Sequence, residues 1–220
     1  MCAHLKNIRA AIFDLDGTLF DSVGLWHEID DIFLSKRNLA PTDEYRRAIA
    51  VVGFRAAAEY TVEYYKLKDS PETLMKEWTE LARRAYATTV KAFSGAREYI
   101  ETCAAAGAKI AAVTSLRREF AVACLKNNGL YEYFSSVFTA DETGLNKSSS
   151  EIYLHAARSL GVNPIECAVY DDVPIAIKAA KAAGMTTVAI AGGTFDTSEC
   201  DGAADLWVAS LRDAPILIGE

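Results

Sequence analysis

Apolar and polar positions divide the 220-residue chain into two regimes. From just after Thr18 to about Val90, apolar residues recur at helical spacing. Val23 to Leu39 places Leu25, Ile29, Ile32 and Phe33 on one face, and Phe54 to Leu67 places Ala58, Val62 and Tyr65 on one side. Pro41-Thr42-Asp43-Glu44 reads as a helix start. Ser70-Pro71-Glu72-Thr73 is a cap with proline at the first helical position, opening a helix that carries Leu74, Trp78, Leu81 and Tyr86. No strand pattern interrupts this block, so it predicts an insertion of about four helices.

Outside the block the period changes. Short apolar runs, Ala10–Phe13, Lys109–Val113, Ser136–Thr139, Cys167–Tyr170 and Thr186–Ile190, have the length of buried parallel strands. Between them lie helical stretches at Gly95–Ala106, Arg117–Asn127, Ser149–Leu160 and Pro174–Ala183, several closed by a glycine. A Gly-rich loop follows Ile190, and Leu206-Trp207-Val208 reads as a last edge strand. Repeated strand–helix units imply a doubly wound parallel sheet, a Rossmann-like α/β core. The expected division is a core of residues 1–20 and 91–220 with an all-helical cap at 21–90.

The strand ends carry the candidate chemistry. Asp14 and Asp16, with Gly17-Thr18, close the first run; Thr114 and Ser115 close the second; Asp171 and Asp172 close a later one. Lys147 lies in a loop between the last two groups. Singly, Thr114-Ser115 would be a helix cap, Asp171-Asp172 a helix N-terminus and Lys147 a solvated loop residue. Together they are a stronger signal, because parallel strands bring their carboxyl ends to one edge, where ligands bind. Two like charges 4 Å apart repel by roughly 4 kcal/mol at an effective dielectric near 20. Four gathered carboxylates therefore call for a hard divalent cation such as Mg²⁺, which takes oxygen ligands and phosphate, with Lys147 adding one positive charge. An acid kept protonated by its neighbours would serve as general acid, and an ionised one as nucleophile.

Composition narrows the partners. A net charge of -7 and a pI near 5.1 argue against a general nucleic-acid or anionic-membrane binder. The apolar stretches are too short to span a bilayer, and the N-terminus lacks the apolar core of a signal peptide. Five scattered cysteines without a Cys-x-x-Cys pair suit reduced thiols in a cytoplasmic protein. His4, His27 and His155 lack metal-ligand spacing and read as structural or surface residues. A monomer or weak homodimer acting on a small phosphorylated metabolite is the expectation.

The motifs in this order resemble the haloacid dehalogenase-like hydrolases, in the branch of helical-capped phosphatases and β-phosphoglucomutase-like enzymes, over nearly the whole chain. Asp14-Leu15-Asp16-Gly17-Thr18-Leu19-Phe20-Asp21-Ser22 is similar to the first signature of that family. The resemblance implies that Asp14 is the nucleophile, forming an aspartyl phosphate, and Asp16 the general acid/base. It places Thr114, Ser115 and Lys147 on the phosphate. It assigns Mg²⁺ to Asp14, the Asp16 backbone carbonyl and Asp172, with Asp171 a shorter acid acting through water. Two departures stand out. The lysine is followed by Ser148-Ser149-Ser150, where the family commonly has prolines, which predicts a looser loop. The metal signature reads Asp171-Asp172-Val173 in place of Glu-Asp-Ser or Gly-Asp-Ser.

The resemblance implies a Mg²⁺-dependent phosphatase; the alternative is a phosphosugar mutase, in which the aspartyl phosphate passes to a sugar hydroxyl. Dehalogenation fits less well, because halide departure does not require the acid that Asp16 supplies. A response-regulator domain would place the adjacent acid pair after the first strand, whereas here it comes last. A phosphometabolite-binding protein without turnover conflicts with the intact Asp14 and Asp16 pair. Val52-Gly53-Phe54-Arg55 is a glycine break between helical segments followed by an arginine. The corresponding cap loop of the resembled family reaches the active site, so Arg55 is the expected contact for a distal substrate group.

Overall fold

The computed structural model describes residues 4–22, 24–49, 54–191 and 202–218. The chain forms two compact units, Met1–Val23 with Val90–Glu220, and Gly24–Thr89.

The first unit is built on a six-stranded, all-parallel sheet. Its strands are β2 (Ala10–Phe13), β3 (Lys109–Thr114), β4 (Phe134–Thr139), β5 (Cys167–Asp171), β6 (Thr186–Ile190) and β7 (Leu206–Val208), in the order β4-β3-β2-β5-β6-β7. The unbroken apolar runs are explained by burial: every residue of β2 and β5 is buried, and every residue of β3 except Lys109. The helices α5 (Ala96–Ala105), α6 (Arg118–Asn127), α7 (Ala140–Thr143), α8 (Ser150–Leu160) and α9 (Pro174–Ala182) complete the unit. On one face, Ala10, Ile12, Ala111, Val113, Cys167 and Val169 form a single core with the inner residues of α8 and α9. The strand order reverses between β2 and β5, so the carboxyl ends of these two strands border the crevice that such sheets use for ligands.

Two strands escaped the pattern analysis. β1 (His4–Lys6) and β8 (Ile216–Ile218) pair in a separate two-stranded parallel sheet. Three residues are too few to display a period, and the partners stand more than 200 positions apart in the chain. β4 begins at Phe134, two residues before the expected run.

The second unit holds α1 (Leu25–Ser35), α2 (Asp43–Ile49), α3 (Phe54–Tyr65) and α4 (Pro71–Thr88). Ser70 caps α4 by accepting from the Thr73 N–H at 3.2 Å, with Pro71 at the first helical position. Leu25, Ile29 and Phe33 are buried, but Ile32 is 45% exposed and Asp30 is buried in its stead. The Tyr45 hydroxyl explains this exchange: it lies 3.3 Å from Asp30 Oδ1 and 3.0 Å from Thr61 Oγ1. A buried carboxyl with a hydrogen-bond partner is tolerated. In α3 the buried residues are Ala57, Ala58 and Thr61, while Val62 and Tyr65 are half-buried; Leu81 of α4 is half-buried as well. Among the described residues no helix is long and apolar enough to cross a membrane.

Candidate active site

The site grows from the end of β2. The backbone ladder runs one residue past the strand, Asp14 N–H donating to the Tyr170 carbonyl at 2.9 Å. Its neighbours then fold back: Gly17 N–H donates to the Phe20 carbonyl at 3.0 Å, and Leu19 and Phe20 both donate to the Leu15 carbonyl at 2.9 Å. Gly17 sits at φ +78°, a region open to glycine, and a Cβ there would collide with the Asp172 carboxylate. The glycine thus lets the first loop lie directly against the acid pair that follows β5. Thr18 strengthens the join, its Oγ1 donating to Asp172 Oδ1 at 3.0 Å.

Side-chain alternation places the acids. Asp14 lies two residues beyond Ile12, and Asp171 two beyond Val169, so both carboxylates project on the face that α8 and α9 cover. Lys147 meets them there, its Nζ 2.9 Å from Asp14 Oδ2 and 2.8 Å from Asp171 Oδ2. All three side chains are buried. Burial opposes the ammonium charge, but the adjacent Asp14 and Asp171 carboxylates outweigh it and hold Lys147 above its ordinary pKa. Burial raises Asp171, with Lys147 pulling it down and Asp14 pushing it up. Asp171 Oδ1 also accepts from the Val173 N–H at 2.9 Å, so both its oxygens are engaged. Burial and then repulsion from Asp14 push the Asp172 carboxyl up to about 6, against the pull of Lys147 and the Thr18 hydroxyl.

The loop carrying Lys147 is tied down despite its missing prolines. Asn146 Oδ1 accepts from the Ser148 N–H at 3.1 Å and from the Ser148 hydroxyl, and Ser149 N–H donates to the Asn146 carbonyl at 3.1 Å. An asparagine turn of this kind replaces ring constraint with hydrogen bonds. Ser148 supplies the donors that proline lacks.

The remaining candidates are placed as follows. Thr114 is buried at the end of β3, where its Oγ1 accepts from the Leu116 N–H at 3.2 Å; Ser115 beside it is exposed. Asp16 is half-buried, and the Ser22 hydroxyl donates to its Oδ1 at 2.5 Å. Arg55 belongs to the helical unit, where its guanidinium pairs with Glu72 at 2.9 Å and Glu59 at 3.6 Å. Val52 and Gly53 of that segment, the glycines after Ala191, and Cys2 and Cys200 lie outside the described residues. Cys103, Cys124 and Cys167 are free and buried. His27 is exposed, and His155 packs edge-on against Phe138.

The roles of Ser22 toward Asp16 and of Thr18 toward Asp172 were missed by sequence reasoning. Both residues stood inside the quoted signature, but nothing in their spacing names the acid that each one meets.

Asp14, Asp171 and Asp172 each offer a carboxylate oxygen, and these oxygens lie within 4.8 Å of one another. Three acids outnumber the one ammonium, and their oxygen-only donor set with its partly paid desolvation fits a hard cation such as Mg²⁺. An ionised carboxylate at a strand end, backed by a buried ammonium and open to such a cation, can attack a phosphorus centre.

Comparison with known proteins agrees with this geometry. Residues 11–190 match the family model described as haloacid dehalogenase-like hydrolase. The Bacillus subtilis protein YhcW is 31% identical over 188 residues, covering 83% of each chain. A phosphorylated carbohydrates phosphatase from Thermotoga maritima is 29% identical over 181 residues, covering 82% of this chain and 84% of its own. A crystal structure from Thermotoga maritima superimposes with a TM-score of 0.86 at 27% identity, covering 94% of this chain and 96% of its own.

Proposed function

The chain belongs to the haloacid dehalogenase-like hydrolases, in their phosphatase branch, and from that premise we propose that it hydrolyses a small phosphomonoester such as a sugar phosphate, with Mg²⁺, through an aspartyl phosphate on Asp14. The observation that carries this reading is the buried pairing of Lys147 with both Asp14 and Asp171, beside Asp172. It sets a buried ammonium directly against the Asp14 carboxylate. The Thermotoga maritima phosphatase of phosphorylated carbohydrates supports a sugar phosphate as substrate.

In this reading Asp14 attacks phosphorus in line, and the bond to the leaving oxygen breaks as Asp16 gives that oxygen a proton. Asp16 then takes a proton from water, which attacks the aspartyl phosphate and restores the Asp14 carboxylate. The Ser22 hydroxyl holds Asp16 in one orientation for both steps. Lys147, Thr114 and Ser115 meet the equatorial phosphoryl oxygens, where charge builds up. Mg²⁺, held by Asp14, the Asp16 backbone carbonyl and Asp172, would neutralise phosphoryl charge. Asp171, both of whose oxygens are engaged, would reach it through water.

The test is a screen of phosphorylated metabolites that scores both released phosphate and isomerised sugar phosphate. Phosphate release from at least one sugar phosphate is expected. An isomerised sugar phosphate without free phosphate would replace hydrolysis by the mutase reaction, and no turnover of any phosphoester would overturn the proposal.

Arg55 is proposed to hold a distal anionic or hydroxyl group of the substrate, exchanging its exposed contacts with Glu72 and Glu59 for that group. Arg55→Ala should then lower kcat/KM for the true substrate by about 10- to 150-fold, the value of one charge-assisted contact of roughly 1.5–3 kcal/mol. A small aryl phosphate lacking the distal group should be hydrolysed as before. Equal losses on both substrates, or none on either, would remove Arg55 from the specificity site.

A further inference from the structure

Asn128 closes α6, and its side chain does more than cap that helix. Its Nδ2 donates to the Cys124 carbonyl at 2.9 Å, which is the capping contact. The same nitrogen donates to the Val90 carbonyl at 3.1 Å, and Oδ1 accepts from the Ala92 N–H at 2.9 Å. Asn127 adds a second contact, its Nδ2 donating to the Val90 carbonyl at 3.2 Å. Val90 is the residue at which the chain re-enters the first unit after the helical one. On its other side the stretch from Val90 to Phe93 pairs with the segment that leads out of the first unit. Asp21 N–H donates to the Lys91 carbonyl at 3.0 Å, Phe93 N–H donates to the Leu19 carbonyl at 2.9 Å, and Phe20 and Ala92 form an antiparallel bridge. The Asn128 amide thus acts as a peptide group would, holding one edge of a two-stranded ribbon. The other edge runs directly into Ser22, whose hydroxyl donates to Asp16 Oδ1 at 2.5 Å.

We propose that Asn128 is a positioning residue for Asp16, acting through this ribbon. The proposal rests on the phosphatase reading, in which Asp16 gives a proton to the leaving oxygen and later takes one from water. Proton transfer needs the Asp16 carboxyl within hydrogen-bond reach of the reacting oxygen, so a small displacement is felt in the rate. Ser22 fixes that carboxyl to the extent that its own backbone is fixed. The ribbon holds the backbone before Ser22, and Asn128 ties the ribbon to α6.

Asn128→Asp keeps the side-chain shape and the acceptor toward Ala92, but sets a carboxylate oxygen against the Val90 and Cys124 carbonyls. Solvent exchange of the Asp21 amide hydrogen should speed up by about tenfold, while the Asp14 amide, bonded to Tyr170, keeps its wild-type rate. In the phosphatase reading kcat/KM ends with transfer to Asp14, so it isolates the step in which Asp16 acts as acid. It should fall by about tenfold for phenyl phosphate, whose leaving group is basic, and by less than about twofold for p-nitrophenyl phosphate, whose leaving group departs with little protonation. Equal losses on both substrates, as a merely structural role would give, overturn the proposal; so does no loss on either, or unchanged exchange at Asp21. If Asn128→Asp does not fold, Asn128→Ala, which removes the contacts without adding charge, is read by the same criteria. In a Ser22→Ala background, Asn128→Ala should cost less than about twofold more on phenyl phosphate, because the route through Ser22 is already cut; full additivity overturns the route. If the wild-type protein releases phosphate from no phosphoester, the phosphatase reading fails. In that case, or if both aryl phosphates are left intact, exchange at Asp21 alone decides whether Asn128 holds the ribbon.

Discussion

Asp14→Asn should abolish phosphate release while leaving the protein folded. The amide occupies the volume of the carboxylate at the end of β2 and keeps the backbone bond to Tyr170. It is a poor nucleophile, so no aspartyl phosphate forms, and the loss should be on the order of 10⁴-fold or more. Folding should survive, because Lys147 keeps Asp171 as its partner at 2.8 Å and the cluster sheds one of three mutually repelling acids. The measurement is phosphate release by mass-verified variant, alongside its melting temperature. Near-wild-type turnover would eliminate the covalent mechanism on Asp14. An unfolded variant would instead show that the Lys147–Asp14 pair is required structurally.

Stripping divalent cations with a chelator should suppress turnover by on the order of 100-fold or more, and Mg²⁺ should restore it. Asp14, Asp171 and Asp172 set three acids against the single ammonium of Lys147, and a phosphate dianion entering that field meets net negative charge. A cation that compensates it contributes several kcal/mol at the transition state, and about 3 kcal/mol corresponds to roughly 150-fold. The same cation should be visible without substrate. Burial and the repulsion from Asp14 push Asp172 up to about 6, so its ionised form is strained and a bound cation relieves it. Mg²⁺ at a hundredfold excess over its Kd should therefore stabilise the fold by about 2.7 kcal/mol. Asp172→Ala should lose most of that gain. Full activity after chelation, or a melting temperature indifferent to Mg²⁺, would sink the metal assignment.

The periodicity of the chain was enough to establish its class. Runs such as Ala10–Phe13 and Cys167–Tyr170, set between helices closed by glycines, have few ways to bury themselves other than a parallel sheet covered on both faces. That geometry sends the carboxyl ends of the strands to one edge, which is why Asp14, Asp16, Asp171 and Asp172 could be grouped from sequence; Asp14, Asp171 and Asp172 do lie together, whereas the Asp16 carboxylate is not of that group and accepts from Ser22. Pairings between particular atoms were not legible. Thr18 meets Asp172 across 154 positions, and Lys147 bridges Asp14 and Asp171, because strand order and register carry distant segments to within hydrogen-bond reach. Short elements escaped for a related reason: β1 and β8 exist only as partners of each other. In α1 the helical repeat identified the stripe, but whether Ile32 or Asp30 turned inward depended on hydroxyls from α2 and α3. Local sequence governs backbone period, which each segment carries within itself; the fate of a buried polar group depends on partners that only the folded chain brings to it.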